Sequence, residues 1–234
     1  MGKTIERLAQ ERGHTIAGII DKDNYEDLAY FDATRADVAI EFTEPSSAMS
    51  NITHCLHRGI PIVSGTTGWL TYRTEVEKIC HAQKGSFFYA SNYSVGVNLF
   101  FALNKKLAQM MKGQGYKVSI EETHHTEKKD APSGTAITLA EGVLESNTEK
   151  HGWILDTGGS VNGSLPIKSF REAGVPGTHV VRHDSEVDSI EIKHTAHSRE
   201  GFAMGALMAA EWLPNHKGVF GMEDMLSLEL AINA

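Results

Sequence analysis

The run ETHHTEKKDAPSGTA, residues 122–136, gathers two imidazoles, two ammonium groups and a turn into one short stretch. Its second half reads as a helix start. Pro132 fixes its own φ and helps begin the first turn. Ser133, Gly134 and Thr135 follow, with backbone N–H groups that find no acceptor inside a helix. Those amides, the helix dipole and the Thr135 hydroxyl suit a carboxylate or a phosphate, and Gly134 lets the anion approach without a Cβ in the way. Upstream, side chains alternate along a strand, so His124 and His125 face opposite sides. One is placed to act as an acid and the other to touch a ligand. Lys128, four residues beyond His124, is able to come back over the same pocket. A nearby cation makes an imidazole harder to protonate and bound carboxylates make it easier, a combination that suits a proton donor near neutral pH. The chain carries a formal net charge of -8, so positive charge gathered here points to a small anionic ligand. The His-His pair has no third ligand in view, and no metal site is expected.

The elements that must hold this cluster follow from periodicity. Ile5, Leu8 and Ala9 recur at helical spacing over residues 3–12, with Gly13 as the stop. HTIAGIID (14–21) is short and β-branched and reads as a buried strand ending at Asp21. ADVAIEF (36–42) is a second strand, followed by a helix to about His57 that stops at Gly59. IPIVSGTTG (60–68) runs from a third strand into a Gly/Thr loop. A helix near 71–83 and the strand SFFYAS (86–91) complete a strand–helix alternation typical of a parallel, right-handed α/β sheet. Beyond residue 93 the pattern changes. A long helix (95–111) and the strand YKVSIEET (116–123) lead into the cluster, a helix begins near Ser133, and no helix interrupts residues 160–197. Those later strands read as neighbours in an open mixed sheet. The apolar helix FAMGALMAAEWL (202–213) closes the chain, with a short terminal piece after it. The expected division is 1–93 with 205–234 as a dinucleotide-binding domain and 94–204 as a substrate-binding and tetramerisation domain.

A dinucleotide site needs a strand, a G-x-G-x-x-G turn opening a helix, and an acidic residue about 20 positions later. Gly2, at the mouth of the first helix, fits the third glycine, which allows close helix–strand packing. Asp21 fits the ribose carboxylate. The first strand and first two glycines are not in the sequence. The reading therefore expects a late start, with roughly ten upstream residues ending in Gly-x-Gly-x. SGTTGW (64–69) and ASNYS (90–94) fall at strand ends on the edge where such sheets bind ligands.

Composition excludes some classes. Apolar content is 41% and charged content 22%, ordinary for a globular chain, and no Lys/Arg run is long enough to track a phosphate backbone, so no nucleic acid partner is expected. No apolar run reaches the roughly 20 residues that span a bilayer, and no signal peptide is visible. Cys55 and Cys80 read as buried thiols of a reducing cytosol. Trp69, Trp153 and Trp212 read as packing residues, and His14, His54, His57, His81, His151 and His216 as solvated.

Together EETHHTEKKDAPSGTA (121–136), SNYSVGVN (91–98), SGTTG (64–68) and HTAHSREGFAMGA (194–206) closely resemble the 4-hydroxy-tetrahydrodipicolinate reductase family of bacterial lysine biosynthesis. The His-His-x-x-Lys-x-Asp-Ala-Pro-Ser-Gly-Thr run is nearly diagnostic. The resemblance implies an α/β fold, with a Rossmann-type nucleotide-binding domain plus an α+β substrate and oligomerisation domain with an open mixed sheet. It implies His124 as proton donor/acceptor and Lys128 as the catalytic lysine. It also implies His125, Ser133, Gly134 and Thr135 on the substrate carboxylates. Gly65, Thr66 and Thr67 would surround the nicotinamide-ribose end of NADH or NADPH, and Ala90, Ser91, Asn92 and Tyr93 would form a second cofactor segment. Asp21 would take the adenosine ribose. A carboxylate there favours NADH, while adjacent Lys22 is placed to receive a 2′-phosphate, so dual use is expected. Arg199 and His197 would line the cleft. A homotetramer, a dicarboxylate substrate and a cytoplasmic site are implied too. Two other readings fit the same motifs: a truncated, non-catalytic paralogue, and a Rossmann-type reductase of another anionic substrate.

Overall fold

The computed structural model describes residues 1–147, 149–158, 163–198 and 200–228. In chain order the elements are α1 (Gly2–Glu11), β1 (Ala39–Glu41), α2 (Pro45–His57), β2 (Ile62–Ser64), α3 (Arg73–Ala82), β3 (Ser86–Tyr89), α4 (Val95–Met111), β4 (Lys117–His124) and α5 (Gly134–Leu144). They continue with β5 (Trp153–Leu155), β6 (Leu165–Arg171), β7 (Gly177–Asp184), β8 (Ser189–Ala196), α6 (Glu200–Trp212), β9 (Gly218–Phe220) and α7 (Met222–Met225). The described chain forms two compact units, residues 1–95 with 200–228, and residues 96–198.

In the first unit β1, β2, β3 and β9 form a parallel sheet in that order. Side chains alternate across it. Ile62, Phe87 and Tyr89 pack with Ile52 and Leu56 of α2 and Val76 and Cys80 of α3. Val63 and Phe88 pack with Ile5, Leu8 and Ala9 of α1 and Ala203, Ala206 and Ala210 of α6. With both faces covered, the strands are apolar apart from Glu41, Ser64 and Ser86 at their ends, the pattern of a parallel sheet. α2 opens on Pro45, whose fixed φ suits a first helical position. Gly13 (φ +85°) and Gly59 (φ +72°) follow the ends of α1 and α2 in the left-handed region, as the sequence suggested. Both cysteines are free and buried in this unit.

Residues 14–21 depart from expectation. They form no strand, and Ile19 is 57% exposed. β-branched propensity makes a strand only when a neighbour takes up the backbone ladder, and among the described residues none pairs with this run. Asp21 instead caps a 3-10 segment, Lys22–Tyr30, that periodicity did not reveal. The close packing expected at Gly2 is also missing: a Cβ there would meet nothing within 4 Å. The short strands β5 and β9 escaped the sequence reading as well.

In the second unit five strands pair in the order β5-β6-β4-β7-β8. β4 runs parallel to β6 and antiparallel to β7, so the sheet is mixed. One face is covered: Val118, Ile120, Ile167 and Val181 pack with Phe100 and Ala108 of α4 and Leu139, Ala140 and Val143 of α5. Each such fully buried aliphatic side chain contributes about 1.5–3 kcal/mol. The other face is open, with Phe170 48% exposed. Trp153, expected to be packed, is 36% exposed on the edge strand β5. His54 and His216, expected to be solvated, are half-buried. His54 meets the Leu28 carbonyl, and His216 stacks on Trp212 at 3.6 Å.

Candidate functional site

β4 is built on strict alternation. Val118, Ile120, Glu122 and His124 point to the covered face, and Lys117 and Glu121 point outward. The strand ends at His124, and His125 lies half-buried just beyond it. The His124 Nδ1 lies 3.3 Å from the Pro176 carbonyl oxygen. A carbonyl only accepts, so Nδ1 carries hydrogen and Nε2 is the atom that gains and loses a proton. That Nε2 lies 3.4 Å from His179 Nε2 and 3.5 Å from Glu122 Oε2. Gly177 makes the placement possible, because a Cβ there would sit 3.0 Å from His124 Cε1.

The Glu122 carboxylate is wholly buried. It accepts from the Ser133 amide with both oxygens at 3.1 Å and from Ser169 Oγ at 2.7 Å. Burial alone would raise its pKa. Hydrogen bonds from His124, His179, Ser133 and Ser169 override that and hold the carboxyl well below the usual range. Burial pushes the His179 imidazole down, partly offset by Glu122.

Ser133 is the N-cap of α5, its hydroxyl accepting from the Ala136 amide. Pro132 therefore precedes the cap rather than sitting in the first turn. The Ser133 amide, expected to be open to a ligand, is taken by Glu122. The next two, of exposed Gly134 and half-buried Thr135, have no partner among the described residues. Lys128 is half-buried and paired with Asp130 through both carboxylate oxygens, at 2.9 and 2.7 Å. Arg171 braces this loop, donating to the Lys128 and Asp130 carbonyls. His125 Nδ1 lies 2.8 Å from Glu127. His124, His125, Lys128, Ser133, Gly134 and Thr135 thus belong to one strand end, one loop and one helix start of the second unit. His197 is exposed, and Arg199 lies outside the described residues.

The second group of candidates belongs to the first unit. Ser64 and Tyr89 are register partners at the carboxyl ends of β2 and β3, so residues 65–67 and 90–93 leave the sheet side by side. That edge is where parallel α/β sheets bind ligands. Glu41, buried at the end of β1, accepts from the Thr43 amide and hydroxyl, Ser64 Oγ and Thr66 Oγ1, and so pins the loop. Trp69 Nε1 donates to the Thr66 carbonyl, and Tyr93 OH to the Ser64 carbonyl. The Thr66 and Tyr93 side chains are thus engaged within the protein. Thr67 is exposed and Gly65 half-buried, with Phe42 where a Gly65 Cβ would go. Ser91 is exposed, Ala90 buried, and Asn92 Oδ1 accepts from the Ser94 amide. Asp21 is exposed and accepts from the Lys22 amide. Gly2 is exposed at the start of α1.

Residue-by-residue reading missed Glu122, His179, Ser169, Arg171 and Glu41. For Glu122 a signal existed: it stands two positions before His124 on a strand, hence on the same face. The others come from distant strands, which one local motif cannot name.

Two family models tile the chain. Residues 1–93 match dihydrodipicolinate reductase, N-terminus, and residues 96–226 match dihydrodipicolinate reductase, C-terminus. A protein from Christiangramia forsetii named 4-hydroxy-tetrahydrodipicolinate reductase is 50% identical over 229 residues, covering 97% of this chain and 94% of the relative. The chain belongs to the dihydrodipicolinate reductase family. A further family member, from Desulfovibrio desulfuricans, is 35% identical, covering 96% of this chain and 95% of its own. Among solved structures, dipicolinate-bound dihydrodipicolinate reductase from Paenisporosarcina sp. TG-14 matches with TM-score 0.69 at 24% identity, covering 94% of this chain and 85% of that one. An amine dehydrogenase from Mycobacterium smegmatis matches with TM-score 0.60 at 9% identity, covering 94% and 91%. Both share the fold of this reductase.

Proposed function

We propose that the protein reduces 4-hydroxy-tetrahydrodipicolinate to tetrahydrodipicolinate with NADH or NADPH. One observation carries the reading: a strand-end imidazole lies beside a helix start whose Gly134 and Thr135 amides are unpartnered among the described residues, in a chain of this family. A ring with two carboxylates needs hydrogen-bond donors and cations. The helix start, His125 and Lys128 supply them, and His124 Nε2 supplies the proton that completes reduction. Positioning of this kind removes several kcal/mol from a barrier.

The first unit suits a pyridine nucleotide, because the Gly65–Thr67 loop is braced from below by Glu41 and leaves Thr67 facing outward. Gly65, Thr66 and Thr67 would hold the nicotinamide-ribose end with Ala90, Ser91, Asn92 and Tyr93, the last through backbone since its hydroxyl is engaged. Asp21 would take the adenosine ribose, with Gly2 at the start of α1. When bound, the nucleotide supplies hydride, and the protein's part is orientation and charge balance. Asp21 disfavours a 2′-phosphate and Lys22 favours it, so both nucleotides serve.

The protein assembles as a homotetramer through the open face of its mixed sheet, where Phe170 stands exposed, and works in the cytoplasm, in keeping with two free thiols. No helix among the described residues is long and apolar enough to cross a membrane. Residues 1–93 with 205–234 serve the nucleotide, and 94–204 serve the substrate and assembly. The test is a spectrophotometric assay with the hydroxylated substrate and each nucleotide, with pyridine-2,6-dicarboxylate as competitor. His124→Gln lowers kcat by about 10²-fold. Wild-type protein without turnover, or that variant with full turnover, removes the assignment.

A further inference from the structure

The wholly buried carboxylate of Glu122 has no role in the chemistry above, yet it meets both His124 and the Ser133 cap of the substrate-side helix. Its Oε2 lies 3.5 Å from His124 Nε2 and 3.6 Å from His179 Nε2, and the two imidazole nitrogens lie 3.4 Å from each other. Its two oxygens also fix the Ser133 amide, the first donor of α5. We propose that Glu122, together with His179, is a positioning residue that retains a proton on His124 Nε2 between turnovers and ties that donor to the start of the substrate-holding helix. The inference rests on the reading of His124 as the proton donor.

Three observations support it. First, a buried anion of this kind must be compensated, and no Lys or Arg is paired with it among the described residues; two imidazoles stand against it instead. Second, the hydrogen inventory allows a proton at only one place. His124 Nδ1 is committed to the Pro176 carbonyl, and His179 Nδ1 is buried without a partner, which costs least as a bare lone pair. His179 Nε2 therefore carries hydrogen toward Ser133 Oγ, 3.1 Å away, and the cluster. One further proton completes the set, on His124 Nε2. Third, at 3.4–3.6 Å the contacts of His124 Nε2 are long and therefore weak hydrogen bonds, so the proton is favoured there without being locked.

The titratable and charged groups around His124 are Glu122 on its own strand, Arg171 opposite it on β6, His179 on β7, Lys128 and its partner Asp130 from the following loop, and His194 behind His179 on β8. Of the two anions, Glu122 is the buried one, and it is the one that meets His124. When His124 gives its proton to the reduced ring it becomes neutral and is recharged from water, while the carboxylate stays ionised throughout.

The three ligand-type atoms lie within 4.8 Å of one another, close enough to share a cation instead of a proton. The proton is favoured because Glu122 already accepts from Ser133 and Ser169, and His179 Nε2 carries hydrogen toward Ser133 Oγ. Nitrogen-15 NMR of histidine-labelled full-length protein separates the two, with elemental analysis alongside. In Glu122→Gln, the His124 titration midpoint falls by about one pH unit or more. The alkaline limb of the kcat profile falls with it. The dissociation constant for pyridine-2,6-dicarboxylate changes by less than about threefold, because the Gln carbonyl still accepts from Ser133. Ser169→Ala, which keeps the charge but removes a donor to it, moves the midpoint upward and serves should the first variant not fold. Opposite signs from the two variants would not arise from a merely structural residue. A midpoint unmoved in whichever variants fold, or one equivalent of metal in purified wild type, overturns the proposal. Should wild type prove inactive on the proposed substrate, the NMR shifts still decide this inference independently.

Discussion

At the scale of single residues, small side chains set the geometry as firmly as reactive ones. Gly177 leaves just enough room for the His124 ring, and its φ is not in the glycine-favouring region, so Gly177→Ala is a steric change without backbone strain. The imidazole must shift by a few tenths of an ångström. Misplacement of a donor on this scale lowers kcat about tenfold, with KM for the nucleotide unchanged, as steady-state kinetics would read. Glu41→Ala acts on the other unit. It leaves Ser64 Oγ and Thr66 Oγ1 buried without their acceptor, at a cost of about 1–3 kcal/mol each. Nucleotide titration should weaken while pyridine-2,6-dicarboxylate still binds; equal weakening of both ligands would point to general unfolding.

At the scale of elements, α6 lies so close to the segment after β3 that a Cβ on Gly205 would fall 1.8 Å from the Tyr93 carbonyl oxygen. Helix or backbone must move, so Gly205→Ala costs about 1–3 kcal/mol or more in denaturant unfolding. The elements also divide sharply by how readily the sequence discloses them. Helices α2, α4 and α5 and strands β4 and β7 were legible because their periodicity is set by one buried face each, with Gly59 and Ser133 marking ends. Residues 14–21 misled because propensity cannot report whether a neighbouring strand exists. β9 is three residues long and half-buried, too short to express any period. The site divides in the same way. His124, Lys128 and the helix start lie within one motif, whereas His179 and Ser169 reach it only through strand pairing.

At the scale of the whole molecule, buried ionisable groups make stability depend on pH. Burial lowers the pKa of His179, His183 and His194 below the ordinary 6.5. The unfolded chain then binds more protons than the folded one as pH drops below about 6.5, so stability falls with acid in that window. Glu122, held below its ordinary 4.5, adds stability that is complete above that pH and is lost as pH falls toward its folded value. Thermal unfolding should therefore show a first decline below about pH 6.5 and a steeper one below about 4.5. A flat profile between pH 7 and 5 would contradict the imidazole assignment. Assembly is tested separately: Phe170→Glu on the open sheet face should reduce the mass seen in light scattering from tetramer to a smaller species.

The strand β9 joins β3 from the far end of the chain, after the entire second unit has been made. A ribosome therefore releases residues 96–198, an uninterrupted and self-paired block, while the surrounding unit still lacks α6 and its fourth strand. The inserted block is expected to acquire protease resistance first on stalled nascent chains, and the host unit only once residues near 220 emerge, because its closing contacts span more than a hundred intervening positions.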